Sequence, residues 1–190
     1  MWKGRFKEET AEVVQRFTQS LDLDWKLAEC DIRGSMAHVK MLVHAGLLSA
    51  EDGEGLLGGL AKVLEEVNSG ELEPSIALED VHMNVESRLT EILGPLGARL
   101  HMGRSRNDQI ATTLRLYLRN KLGEMGLALT SLLDVLLYNA ERHIDKVVPG
   151  YTHLQQAQPV SMGHYWMSHF WAFERDVKRL LFALEALDEC

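Results

Sequence analysis

Apolar residues along most of the chain recur at intervals of three or four, the spacing of one face of an α-helix. Two long helices are predicted in the second half of the sequence, each with one continuous apolar stripe. No run of alternating β-branched residues is long enough to predict a strand. We therefore expect an all-α protein. The stripes are Ile110, Leu114, Leu118, Leu122, Met125, Leu129, Leu132 and Leu136 in the first helix, and Met162, Trp166, Phe170, Phe173, Val177, Leu180, Leu184 and Leu187 in the second.

Three shorter helices are predicted in the first half of the chain. Gly46 suits a left-handed cap after the first helix, and Ser49 begins a capping box for the second. The third helix should end at Gly94-Pro95. The predicted spans are about residues 24–45, 50–67 and 78–93.

These elements predict two domains. Residues 1–108 would form a helical N-terminal domain, and residues 109–190 would supply the first two long helices of a central bundle. A long helix with one apolar stripe needs partner helices to bury it, so we expect more chain or more subunits, and either oligomerisation or poor solubility of the isolated chain. The last helix reaches Cys190 without a glycine, a proline or a basic last turn. We expect a truncated chain or an interrupted reading frame, the alternative being a natural end at which the helix frays.

Composition and charge exclude several classes of function. The formal net charge of −8 argues against nucleic-acid binding, which needs a basic surface. No stretch approaches the roughly 18 apolar residues of a membrane span, and residues 1–10 contain no apolar run that would indicate a signal peptide. Cys30 and Cys190 lack metal-ligand spacing, and Cys30 is expected to be a buried apolar residue. These features favour the cytoplasm.

Three polar segments interrupt the helical pattern and are candidates for chemistry. A backbone freed by glycine before a helix, together with two arginines, could bind a carboxylate through helix N–H groups and guanidinium forks. The alternative is a capped helix start with a solvated charge cluster. The segments are residues 79–84 (EDVHMN), 101–109 (HMGRSRNDQ) and 149–160 (PGYTHLQQAQPV).

The individual residues of these segments have structural alternatives. Asn107 or Asp108 could cap the long helix that follows Gly103. His153 could transfer protons near neutral pH or be a structural histidine in a loop. Asp80 and His82 could bind an anion, or cap a helix and decorate the surface.

Taken together, the segments resemble the argininosuccinate lyase family, which also includes the δ-crystallins. Residues 103–109 match its GRSRNDQ block, and residues 149–159 match PGYTHLQ-x-AQP. The opening MWKGRF, the DIRGS segment at 31–35 and the EDVH segment at 79–82 are similar to the family's corresponding segments. The resemblance covers the whole chain in order.

The resemblance implies an activity and a set of site residues. The family cleaves argininosuccinate to arginine and fumarate by β-elimination in arginine biosynthesis, without a metal or organic cofactor, in homotetramers whose active sites several subunits share. His153 would be half of the proton-transfer pair, either as base or as acid. The expected substrate-binding residues are Ser20, Asn107, Thr152, Asp80, His82, Arg104 and Arg106.

Two departures from the family pattern affect these expectations. Met102 replaces the usual threonine before GRSRNDQ, and a thioether cannot donate a hydrogen bond. The family's serine loop, which supplies the second proton-transfer residue, is absent from this sequence, so the chain alone is expected to be inactive. The alternatives are another fumarate-releasing lyase of the adenylosuccinate type, and a non-catalytic, crystallin-like helical protein.

Overall fold

The computed structural model describes residues 11–189, which are mostly helical and form two compact units, residues 11–117 and 118–189. Three short 3-10 helices lie at Trp25–Leu27, Ile76–Leu78 and Gly94–His101. The predicted all-α fold is confirmed, with one small hairpin added. The main elements are α1 (Glu12–Thr18), α2 (Leu21–Asp24), α3 (Ala28–His44), α4 (Ala50–Ser69), α5 (Val81–Leu93), α6 (Arg106–Arg142), β1 (Val147–Thr152), β2 (Gln155–Ser161) and α7 (Met162–Ala186).

The first unit is built around α3, α4 and α5, whose apolar faces form one core. Burying such side chains contributes roughly 1.5–3 kcal/mol each, which fixes how the three helices pack. Cys30 is buried, as predicted. The largest fully buried side chains are Ile32, Leu42, Leu56, Leu60, Leu89 and Leu100.

Most of the predicted helix ends of this unit are found. Gly46 has a left-handed φ of 71°, and the Ser49 hydroxyl accepts a hydrogen bond from the Asp52 amide at the start of α4. The predicted start of the third helix at residue 78 is wrong. Asp80 caps α5 by accepting from the Met83 amide, and Glu79, with a φ of 66°, cannot continue a helix backwards.

The second unit contains most of α6, the hairpin and α7. Arg119 pairs with Asp188 at 2.9 Å, and the Ser161 hydroxyl donates to the Ile144 carbonyl at 2.9 Å. These contacts at opposite ends show that the two helices run antiparallel within this unit. The expectation of a plain loop at 149–160 is wrong, because strands β1 and β2 pair there.

The apolar stripes of the long helices are only partly covered within the described chain. Leu136 of α6 is buried, but Ile110, Leu114 and Met125 are 44%, 45% and 55% exposed. Within residues 11–189, no helix is long and apolar enough to cross a membrane. The predicted domain boundary at residue 108 stays a prediction.

Candidate active site

The start of helix α6 and the turn before it carry three of the predicted site residues, Arg104, Arg106 and Asn107, and two local hydrogen bonds fix the helix start. Gly103 takes a left-handed φ of 71° before the helix. The Ser105 hydroxyl accepts from the Asn107 amide at 3.3 Å, and the Asp108 carboxylate accepts from the Ser105 amide at 2.7 Å. This is a capping box with Ser105 as the cap, so the expectation that Asn107 or Asp108 caps the helix is wrong. The exposed Asn107 side chain is thereby left for other contacts.

Arg106 lies in the first turn of α6 and faces acidic residues of α5 and its cap. Its Nε is 3.6 Å from Asp80 Oδ2, and its Nη2 is 3.8 Å from Glu86 Oε2. Its closest contact is the hydrogen bond from Nη1 to Gln109 Oε1, at 2.9 Å. The Arg106 side chain is 25% exposed, so a carboxylate from solvent can still reach it.

Ser20 is attached to the same region through the backbone of Glu79. The Ser20 amide donates to the Glu79 carbonyl at 3.0 Å, and Glu79 itself has a left-handed φ of 66°. A non-glycine residue in this conformation carries about 1–3 kcal/mol of strain, which proteins tolerate mainly at functional positions. The Ser20 hydroxyl donates to Asp24 Oδ2 at 2.6 Å, which holds the hydroxyl oxygen on the exposed side of α2.

His82 is buried, so the alternative that it merely lies on the surface is wrong. It is 3% exposed, and its Nδ1 donates to Oδ1 of Asp31 at 2.8 Å. The same oxygen accepts from Gln109 Nε2 at 2.7 Å and from the Thr113 hydroxyl at 3.2 Å. Asp31 therefore ties α3, α5 and the first turns of α6 together.

Asp31 is an ionised carboxylate in the interior of the first unit. Burial by itself would raise its pKa, but the hydrogen bond and charge of His82, the Gln109 amide and the charge of Arg104 together lower it below the ordinary value. Its second oxygen, Oδ2, has no hydrogen-bond partner among residues 11–189. A buried polar atom without a partner costs about 1–3 kcal/mol.

Arg104 points into the molecule, unlike Arg106. Its Nη2 donates to the Ser35 hydroxyl at 3.1 Å, and burial lowers the pKa of its guanidinium, partly offset by the charge of Asp31. A cleft of about 280 Å³ is lined by Arg104, Ser35, His38 and Asp31, among others. This geometry favours a structural role for Arg104 over direct carboxylate binding.

Met102, which departs from the family pattern, is accommodated by the packing around it. Its side chain packs against the apolar core of the first unit. Its carbonyl accepts a hydrogen bond from His38 Nε2 at 2.9 Å. Burial lowers the pKa of His38, so His38 is neutral at pH 7 with its proton on Nε2.

Thr152 and His153 lie in the second unit, at the tip of the β1–β2 hairpin. Thr152 pairs with Gln155, so His153 and Leu154 form a two-residue turn. Both have left-handed backbones, with φ of 51° and 61°, and such primed turns normally use Asn-Gly or Gly-Gly. The strained turn holds the His153 side chain out at an exposed tip, which favours function over a structural histidine.

The first unit thus brings Ser20, Asp80, Arg106 and the start of α6 carrying Asn107 into one neighbourhood, and the second presents Thr152 and His153 by themselves. Sequence reasoning missed the roles of Asp31 and Gln109. The available signal for Asp31 was a charged residue beside the buried positions of α3. In the described part of the chain, no three His, Cys, Asp or Glu side chains are grouped to hold a metal ion.

Comparison with curated proteins finds close relatives of this chain. The chain is 49% identical over 180 residues to the argininosuccinate lyase of Chromobacterium violaceum, covering 95% of this chain and 39% of that protein. It is 50% identical over 189 residues to the argininosuccinate lyase of Psychrobacter cryohalolentis, covering 100% of this chain and 41% of that protein. The chain therefore spans about two-fifths of the length of the curated relatives it matches.

Solved structures and a family model agree with these relatives. An EDDS lyase variant with bound fumarate superposes with a TM-score of 0.75 at 28% identity, covering 87% of this chain and 32% of that one. A family model described as "Lyase" matches residues 4–189. The chain belongs to this lyase family.

Proposed function

We propose that this chain is part of an argininosuccinate lyase, which cleaves argininosuccinate to arginine and fumarate. The observation that carries the proposal is 49–50% identity to two argininosuccinate lyases over nearly the whole chain, including all three polar segments. The geometry at the start of α6 supports it, because an accessible arginine and an exposed asparagine lie where a dicarboxylate could bind.

The reaction places specific demands on the site. A base must remove a proton from the carbon next to a carboxylate, and the resulting dianion needs preorganised donors. The bond between the neighbouring carbon and the guanidino nitrogen then breaks, with an acid assisting the leaving group. Arg106 is suited to binding a substrate carboxylate, while Asn107 and Ser20 present polar side chains on exposed surfaces.

His153 is proposed as one half of the proton-transfer pair, with Thr152 beside it as a substrate contact. The exposed, strained turn supports this role, since an imidazole there can approach a bound substrate. Asp80 and His82 are assigned supporting roles. Asp80 caps α5 beside Arg106, and His82 is held on the buried Asp31. Arg104 acts from within the fold through Ser35.

We propose further that the isolated chain is inactive, and that the working enzyme is a cytoplasmic homotetramer. The sequence contains no SSxMPxKKN serine loop, so the second proton-transfer residue must come from elsewhere. The exposed apolar side chains of α6 support burial of that stripe against other helices.

A second candidate is another lyase that releases fumarate. The similarity to an EDDS lyase variant with bound fumarate favours it, because that protein carries the same fold at 28% identity. The two candidates differ in the amine that leaves.

A chimera tests the proposal and separates the candidates. In it, this chain replaces the segment that it matches in the Chromobacterium violaceum enzyme. We expect the folded chimera to release fumarate from argininosuccinate, followed by absorbance, and to leave adenylosuccinate and ethylenediamine disuccinate uncleaved. Turnover of either of these substrates in preference to argininosuccinate would support the second candidate and overturn the first.

A further inference from the structure

The side-chain amide of Gln109 joins two charged residues of the first unit. Its Nε2 donates to Asp31 Oδ1 at 2.7 Å, and its Oε1 accepts from Arg106 Nη1 at 2.9 Å. The reverse amide orientation would set its NH2 group against the guanidinium and its oxygen against the carboxylate. The two charges therefore fix the orientation of the amide.

The Asp31 end of this link is buried and held by several hydrogen bonds. Asp31 is 1% exposed, and the oxygen that accepts from Gln109 also accepts from His82 and Thr113. Its second oxygen, Oδ2, has no partner among residues 11–189, which is unfavourable even though the hydrogen bonds to Oδ1 stabilise the carboxylate. An unsatisfied buried polar atom of this kind is typical of functional sites.

At the other end of the link, the contacts of Arg106 with its acidic neighbours are longer than its hydrogen bond to Gln109. Its distances to the carboxylates of Asp80 and Glu86, 3.6 and 3.8 Å, exceed hydrogen-bond length. The bond to Gln109 at 2.9 Å is therefore the directional contact that sets how the guanidinium plane is turned. It occupies Nη1 and leaves other N–H groups of the fork for a ligand.

We propose that Asp31 and Gln109 are positioning residues that orient Arg106 toward a carboxylate of the substrate. This inference rests on the proposed function, in which Arg106 binds that carboxylate. A carboxylate that keeps its charge from the bound substrate to the transition state is bound by Arg106 equally strongly in the two states. A variant in which Arg106 is no longer oriented should therefore have a raised KM and a nearly unchanged kcat.

The matched pair Gln109→Met and Thr113→Val tests the inference in the chimera. Both substitutions nearly preserve shape and remove one donor to the same Asp31 oxygen, but only Gln109 also contacts Arg106. We expect Gln109→Met to raise KM for argininosuccinate about tenfold with kcat within about twofold. Thr113→Val should leave KM unchanged. Equal KM changes in the two variants, or an unchanged KM in Gln109→Met, would overturn the inference.

Two further variants guard against a simple folding defect. Gln109→Asn keeps an amide but is one methylene too short to span both partners, so it should raise KM as Gln109→Met does. In an Arg106→Lys background, Gln109→Met should add no further rise, because the guanidinium it orients is gone. A full additional tenfold rise there would contradict a role exerted through Arg106.

A readout that needs no activity separates this inference from the proposed function. In the 15N-arginine-labelled chimera, Gln109→Met should speed hydrogen exchange of the Arg106 Nη protons severalfold, and Thr113→Val should not. An inactive but folded chimera would overturn the proposed function. The exchange rates of the Arg106 protons would still show whether Gln109 holds Arg106. Identical exchange in the two variants would defeat the link itself.

Discussion

The polar residues around the start of helix α6 are held by a buried hydrogen-bond network, whereas His153 is held by the backbone of a two-residue turn. In the first region, the buried Asp31 accepts hydrogen bonds from three side chains. In the second, the turn residues are exposed, with Leu154 99% exposed. Substitutions should therefore affect stability and substrate binding mainly in the first region, and proton transfer mainly in the second.

The largest effect expected from this contrast concerns His153. His153→Asn in the chimera removes a group that can transfer protons, so kcat should fall about 10³-fold or more. Helicity should be unchanged, because the side chain is exposed. Fumarate release and circular dichroism measure the two quantities. His164→Asn, another exposed histidine of the same unit, serves as control and should retain kcat. Comparable kcat in the two variants would remove His153 from the mechanism.

A smaller effect on stability is expected at Asp31. Asp31→Asn in the isolated chain weakens three buried hydrogen bonds and should lower the free energy of unfolding by about 1–3 kcal/mol at pH 7. The folded pKa of Asp31 is lowered, so its ionised form stabilises the fold above the unfolded pKa of about 3.9. This contribution is lost as the pH falls through the folded pKa.

Urea unfolding at several pH values checks this prediction. The difference in stability between native chain and Asp31→Asn should be full at pH 7 and should shrink below about pH 4. The exposed Asp134→Asn is a matched control without such a difference. A gap that stays constant down to pH 2 would show that the charge of Asp31 contributes nothing.

The smallest effect is expected at Leu154. Glycine there relieves a left-handed conformation that costs about 1–2 kcal/mol, offset by about 0.5–1 kcal/mol of added chain entropy in the unfolded state. Leu154→Gly should therefore stabilise the isolated chain by roughly 0.5 kcal/mol in urea unfolding. Leu181→Gly, at an exposed leucine within α7, should instead destabilise it by about 1 kcal/mol. Destabilisation by Leu154→Gly would show that the turn is unstrained.

Local signals in the sequence predicted local features of the fold. Gly46, Ser49 and Gly94 mark helix ends because a cap depends on residues within one turn. The β1–β2 hairpin was missed because Pro149 and Pro159 are typical of loops, and because its turn residues are His-Leu rather than Asn-Gly.

The candidate site was predictable only in part. Arg106 and Asp80 stood out as polar residues beside helix starts, and they do lie together. The bond between Asp31 and His82 joins residues 51 positions apart, and no local pattern encodes such a pairing. The sequence therefore left open whether His82 binds an anion or lies on the surface, and the fold buries it. The cap of α6 was misassigned because Ser105, Asn107 and Asp108 are all good cap residues, and only the exact start of α6 decides among them.

The most direct test of the central claim compares fumarate release from argininosuccinate by the isolated chain and by the chimera at equal concentration. We propose that this chain supplies the His153-bearing part of a lyase and lacks the other proton-transfer residue. We therefore expect measurable turnover by the chimera and none by the isolated chain. Turnover by the isolated chain at a similar rate, or a folded and assembled chimera without turnover, would contradict it.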